Sequence, residues 1–169
     1  MIRKREFENF KNLLFRKQNF FFFLIMVLVF LIDRLTKNII LTKFNENSYF
    51  LNNYLNIDLI WNIGIGFGFL STESTLLYSI VTTLIGLIII VLIYVLILSE
   101  NIDKFIYSLI IGGALGNFYD RLIFKAVPDF IDLHYNNFHW FTFNFADIFI
   151  TVGIIIFILR GLVLKNREQ

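Results

Sequence analysis

The sequence predicts a membrane protein of the all-helical class, a four-transmembrane-helix bundle in a single domain over residues 1–169. Three observations lead there. The chain is 57% hydrophobic with a mean hydropathy of +0.72, more apolar surface than a globule of 169 residues can hide. It contains four apolar runs of about the length that crosses a bilayer as a helix, roughly 20 residues. Its Lys and Arg residues cluster at particular ends of those runs, which gives the bundle a direction. The absence of Cys excludes disulfides, iron–sulfur clusters and thiolate catalysis.

The first run covers residues 20–41 and is interrupted near its end by Asp33-Arg34-Leu35-Thr36-Lys37. The second, residues 76–98, carries no charge. The third, residues 105–122, carries Gly112, Gly113, Gly116, Asn117, Asp120 and Arg121. The fourth, residues 145–164, has Asp147 in its first turn and Arg160 near its other end.

Arg3, Lys4, Arg5, Lys11, Arg16 and Lys17 precede the first run, and Lys165 and Arg167 follow the fourth. Residues 45–75 contain no Lys or Arg, and residues 123–144 only Lys125. Cytoplasmic flanks are the basic ones. Both termini are therefore expected in the cytoplasm, and the two poorly basic segments outside it. Residues 1–30 have the basic start and apolar run of a signal peptide, but no small-residue cleavage site follows, so the segment is expected to be retained. This orientation brings Asp33, Lys37, Asn117, Asp120, Arg121, Asn144 and Asp147 to one leaflet. Arg160 alone stays behind. Such a gathering reads as one site.

Asp33 and Lys37, four apart, share a helix face, and an internal salt bridge is their simplest role. Gly112 and Gly116 form a small-xxx-small pair suited to close helix packing, within or between chains. Asn117 and Arg121 share a face, whereas Asp120 points about 100° away from Arg121. Over residues 57–69 large apolar side chains fill every odd position, while the even ones include Asn62, Gly64, Gly66 and Gly68. That is a period of two, a strand with one nearly bare face that could bed an extended peptide. Asn144-Phe145-Ala146-Asp147 reads as a helix N-terminus, with Asn at the cap and an acid three residues on.

A carboxylate at a membrane edge is costly and is kept for chemistry, ion passage or a buried pair. Two close together share protons rather than both ionising, the electrostatic basis of an aspartic protease. Asp129, Asp132 and Asp120 all qualify as the partner of Asp147, and the residues alone leave that choice open. His134 and His139 invite a metal reading with these acids. No HExxH helix or Cys cluster accompanies them, so aromatic-belt or headgroup contacts are the expectation and no metal is assigned. A proton- or cation-coupled transporter is the alternative function. Polar groups confined to one leaflet argue against it, as the second run offers only Ser79, Thr82 and Thr83.

Taken together the motifs resemble the lipoprotein signal peptidase family (signal peptidase II). The matching stretches are Asp33-Arg34-Leu35-Thr36-Lys37, Asn62-Ile63-Gly64-Ile65-Gly66-Phe67-Gly68, residues 112–121 from Gly112 to Arg121, Val127-Pro128-Asp129-Phe130, and Phe143-Asn144-Phe145-Ala146-Asp147. The resemblance implies that Asp129 and Asp147 are the catalytic pair. It places Asn62, Gly64, Asn117, Arg121, Asn144 and Ala146 around substrate and dyad, with Asp33, Lys37 and Asp120 as structural support. It further implies a small extracytoplasmic β-sheet and a helix or loop lid, and a monomer in the bacterial cytoplasmic (inner) membrane. The implied substrates are lipid-modified prolipoproteins, met at the membrane lipid, cut N-terminal to the diacylglyceryl-modified Cys. No cofactor and no nucleic acid partner are expected. Arg34, where the family more often has Gln, Gly66, where Ala is usual, and Pro128, where an aliphatic residue is usual, are the departures.

Overall fold

Every apolar run becomes a helix, and the two segments expected outside the cytoplasm supply strands. The computed structural model describes residues 14, 16–44, 48–64, 75–136 and 138–167. In chain order the elements are α1 (Lys17–Lys43), β1 (Tyr49–Asn52), β2 (Leu55–Asn62), α2 (Thr75–Leu98), α3 (Asn101–Ile123), β3 (Val127–Tyr135), β4 (Phe138–Phe143) and α4 (Phe145–Arg167). Among the described residues α1, α2 and α4 are long and apolar enough to cross a membrane, and α3 is as long but less apolar. The N-terminal basic residues Arg3, Lys4, Arg5 and Lys11 lie outside the described residues. No element among the described residues corresponds to the expected lid.

The position of α3 explains its polarity. It packs against α1, α2 and α4, and its buried residues include Lys104, Ser108, Asn117, Asp120 and Arg121. The other helices show apolar side chains outward, such as Leu24, Leu28 and Leu31 on α1 and Leu84, Leu87 and Ile88 on α2. A surface this apolar fits contact with lipid tails. Helix α3 starts at Asn101, four residues before the expected 105, because its first turn is held there. Lys104 reaches Asn19 on α1 (2.5 Å), and Asp103 pairs with Arg160 of α4. Arg160 thus belongs to the end opposite the polar gathering.

The glycines of α3 set how closely its neighbours approach. A Cβ at Gly112 would lie 2.7 Å from the Met26 carbonyl oxygen of α1, and one at Gly113 only 2.5 Å from the Ala146 carbonyl oxygen of α4. A Cβ at Gly116 would overlap the Asp33 carboxylate. The Gly112/Gly116 face is therefore spent on packing inside the chain.

A four-stranded antiparallel sheet, ordered β1-β2-β3-β4, joins the ends of α1 and α3 to the start of α4. The register Asn62↔Val127, Trp61↔Pro128 and Ile60↔Asp129 brings the end of β2 beside the start of β3. The strand expected over 57–69 begins earlier, at Leu55, and its regular part stops at Asn62. Asn62 ends it because its side-chain oxygen accepts the Gly64 backbone N–H at 2.8 Å, turning the chain two residues on. Gly66 and Gly68 of the expected bare face lie outside the described residues.

Candidate active site

Asp129 on β3 is buried, Asp147 in the first turn of α4 is half-buried, and they are linked through Asn144. The Asn144 side-chain amide donates to Asp129 Oδ1 at 2.5 Å, and its backbone N–H donates to Asp147 Oδ2 at 3.2 Å. In return the Asp147 backbone N–H donates to Asn144 Oδ1 at 3.1 Å. Reciprocal bonds between the cap and the residue three on form a capping box, as the sequence led one to expect.

Two further asparagines face the carboxylates. Asn62 Nδ2 donates to Asp129 Oδ2 at 2.8 Å, and Asn117 Nδ2 donates to Asp147 Oδ1 at 2.8 Å. An Asn amide has one accepting and one donating end, so whatever binds the oxygen decides where the NH2 points. Here each oxygen is claimed. Gly64 N–H holds Asn62 Oδ1, the Lys37 ammonium holds Asn117 Oδ1 (2.9 Å), and Asp147 N–H holds Asn144 Oδ1. All three amides consequently turn their N–H groups to the two carboxylates.

Behind Asn117 lies a buried charge cluster of Asp33, Arg34, Lys37 and Asp120. Lys37 Nζ donates to Asp33 Oδ1 (2.9 Å) and Asp120 Oδ2 (2.7 Å), and Arg34 grips Asp120 with both terminal nitrogens (2.5 and 2.8 Å). Arg34 also donates to Asp33 Oδ2 at 2.9 Å and lies 4.8 Å from the centre of the Tyr119 ring. Two cations against two anions sum to zero, which is what burial of so many charges requires. The cluster also fixes α4, since Ala146 N–H donates to Asp33 Oδ1 at 3.2 Å.

Arg121 donates to the carbonyls of Asn117 (3.1 Å) and Gly64 (3.0 Å), clamping the turn after β2 onto α3. Asp120, one of the three carboxylates the sequence left open beside Asp147, is held by Arg34 and Lys37 in the ion cluster. Arg34, which the sequence presented only as a departure, is a full member of the cluster. Its position next to Asp33 offered no sign that it reaches Asp120, 86 residues away in sequence.

Asp132 is also accounted for. It lies on β3 with Asn56 Nδ2 at 3.3 Å and His139 Nδ1 at 2.7 Å, bonded to none of Asn62, Asn117 and Asn144. The side chains of Asp132, His134 and His139 converge.

Burial chiefly, and the nearby Asp147 charge after it, push the Asp129 carboxyl from 3.8 up to about 7, against the lowering effect of its Asn62 and Asn144 bonds. Asp147 sits instead at the N-terminus of α4, beside the Asn117 amide. An apolar groove of about 230 Å³, lined by Phe141, Phe143, Ile148, Thr151 and Val152, opens beside Asp147. The chemistry on offer is a pair of carboxyls in unequal settings next to a greasy channel. That suits acid–base attack on a polar bond carried by an apolar molecule.

Comparison with known proteins gives a consistent answer. A family model described as Signal peptidase (SPase) II matches residues 25–163. A lipoprotein signal peptidase of Pelagibacter ubique (strain HTCC1062) is 46% identical over 155 residues, covering 89% of this chain and 93% of the relative. One from Francisella tularensis subsp. novicida (strain U112) is 39% identical, covering 87% and 94%. A solved bacterial membrane enzyme structure superposes with a TM-score of 0.74 at 34% identity, covering 88% of this chain and 91% of that one.

Proposed function

Because this chain belongs to the signal peptidase II family, we infer that it is a membrane-embedded aspartic endopeptidase that removes the signal peptide from lipid-modified prolipoproteins. The observation that carries the mechanism is the joint hold of Asn144 on Asp129 and Asp147. Asp147, ionised at the helix N-terminus, takes a proton from water as the water oxygen bonds to the scissile carbonyl carbon. Asp129, protonated, donates a hydrogen bond to the carbonyl oxygen. Collapse of the tetrahedral species breaks the C–N bond, and the proton passes to the leaving amine. No covalent enzyme intermediate is required.

Asn62, Asn117 and Asn144 hold the carboxylates in place, with amide groups also suited to a substrate backbone. Arg121 and Gly64 shape the rim on the β2 side. The groove beside Asp147 accepts apolar parts of the substrate, the signal-peptide helix or a diacylglyceryl chain.

The bundle reads as four spans in the bacterial cytoplasmic membrane, with both termini cytoplasmic, the site near the extracytoplasmic face and one chain sufficient. Helix α3 supports the fourth span: its 23 residues reach about 35 Å at a rise of roughly 1.5 Å each, and its charges are paired or buried. The deciding experiment incubates purified protein with a diacylglyceryl-modified prolipoprotein and follows release of the signal peptide. Release that is lost in Asp129→Asn supports the reading. Binding without cleavage in the unaltered protein sinks it.

A further inference from the structure

The sheet carries a second cluster of chemistry on the face opposite Asp129. Asp132 and His134 are two apart on β3 and so share a face, and His139 pairs with His134 across the β3–β4 ladder. Their ligand atoms all lie within 4.8 Å of one another. Both imidazole Nδ1 atoms converge on the same carboxylate oxygen, Asp132 Oδ2, His139 at 2.7 Å and His134 at 3.6 Å. The two rings stack with centres 5.3 Å apart and planes 24° from parallel, and the Phe50 ring stands against His134 at 6.5 Å.

A break in the sheet makes this convergence. Leu133 pairs with Phe141, so a regular ladder would place Trp140 opposite His134 and turn His139 to the other face. A register shift between Leu133 and His134 brings His139 opposite instead. Bulges of this kind re-aim side chains near sites.

Two buried polar atoms at the cluster have no hydrogen-bond partner. One is His134 Nδ1, in a side chain 6% exposed, and the other is Asn56 Oδ1, whose own amide nitrogen is bonded to Asp132 Oδ2. Buried polar atoms are almost always satisfied, so two orphans around one carboxylate mark a missing partner. A partner that takes an electron pair from the His134 nitrogen while facing the Asp132 carboxylate would complete the cluster. A divalent cation does so. Two imidazoles and a carboxylate select a borderline transition ion, Zn2+ above all, and not Ca2+ or Mg2+, which prefer all-oxygen sets.

We propose that Asp132, His134 and His139 form a Zn2+-class metal site on the sheet, apart from the catalytic dyad, with the exposed His139 as the entering ligand. The site ties β4 to β3, the strand that carries Asp129 three residues upstream. The proposal goes beyond the reading of spacing alone, which assigned no metal.

The test is metal uptake by tag-free, full-length protein in detergent, with Zn2+ followed calorimetrically and Co2+ by its visible d–d absorption. The expected result is one equivalent per chain, with His139→Ala weakening uptake at least about tenfold, as loss of a direct ligand should exceed loss of an outer-shell partner. His139 is 56% exposed, so this variant keeps the fold, which a melting curve verifies. Asp129→Asn should take up metal as the parent does. Absence of uptake by the parent, equal uptake in His139→Ala, or loss of uptake only in Asp129→Asn would each overturn the proposal. Uptake is read without cleavage, so the outcome stands apart from the peptidase reading.

Discussion

The ammonium of Lys37 lies 2.9 Å from Asn117 Oδ1, and through that single oxygen the buried ion cluster orients the asparagine that holds Asp147. Lys37 is itself nearly inaccessible, at 1% exposed, and shares the cluster with Asp33 and Asp120. Stability and the geometry of the proposed catalytic pair therefore meet in one side chain.

Replacing Lys37 by Met keeps the length of the chain and removes the charge. Asp33 and Asp120 then face Arg34 alone, leaving one net buried negative charge. Breaking a buried ion network in this way costs about 3–5 kcal/mol. The oxygen of Asn117 also loses the shorter of its two donors and keeps only the Asn144 amide at 3.2 Å, so activity should fall even in molecules that remain folded. Thermal unfolding in detergent together with cleavage per folded molecule checks both. A Lys37→Met protein with unchanged melting and activity would show that the cluster is incidental.

Asp147→Asn tests the proposed base by itself. The substituted amide can accept from only one of the two donors now bonded to the carboxylate, Asn117 Nδ2 and the Asn144 backbone N–H. That loss is small against the fold. Removal of a general base lowers turnover by about 10²–10⁴-fold, with substrate binding largely kept. Turnover and affinity measured separately should divide in that manner. A similar loss in both would point to a structural role.

The Asp129 carboxyl, raised from 3.8 to about 7 mainly by burial, makes the fold sensitive to alkali. Between those values the folded chain keeps a proton that the unfolded chain has given up. The Asp129 contribution is thus fully present below the unfolded value and is lost as pH rises through the folded one. Stability should decline from pH about 4 to about 7 and then level off, by up to a few kcal/mol for this group. In Asp129→Asn that slope should flatten, because no titrating group remains at the position. Melting temperatures of both proteins across this window decide it, the slope being the readout and not the absolute value. Turnover of the parent should fall over the same upper range, as the proton donor is lost.

The helices were legible in the sequence because lipid imposes a simple rule on them: about 20 apolar residues in a row. The capping box at Asn144 was legible for a similar reason, since it is local. What spacing could not supply was contact between distant segments. Arg34 reaches Asp120, and Arg121 reaches past Asp120 to Gly64, and neither follows from helix periodicity. Periodicity did place Asp120 on a different face from Arg121, yet gave no sign of which helix it would meet. The choice between Asp129, Asp132 and Asp120 was open for the same reason. Their hydrogen-bond partners lie on other elements, and those partners distinguish them: asparagines for Asp129, histidines for Asp132, cations for Asp120. The sequence raised Asp132, His134 and His139 as neighbours in type, but the pairing of His134 with His139 depends on a register shift that no count of residues between them reveals.

Gly113 gives the last prediction, because it tests whether placement of α4 governs catalysis. A Cβ there would stand 2.5 Å from the Ala146 carbonyl oxygen and 2.9 Å from Ile150 Cγ1. The first of these is backbone and cannot rotate away. Gly113→Ala must therefore push the start of α4 from α3, carrying Asp147 with it and stretching its bond to Asn117. Overpacking of this size costs about 1–3 kcal/mol. A displacement of about 1 Å in a catalytic group costs on the order of 10²-fold in rate. Gly161 is the control, since nothing lies within 4 Å of a Cβ at that position. Gly161→Ala should leave cleavage unchanged and, by removing a helical glycine, gain up to about 1 kcal/mol. Measured side by side, a large rate loss in Gly113→Ala with none in Gly161→Ala supports positioning of Asp147 by helix contact. Equal rates in the two would show that α4 has slack at the site.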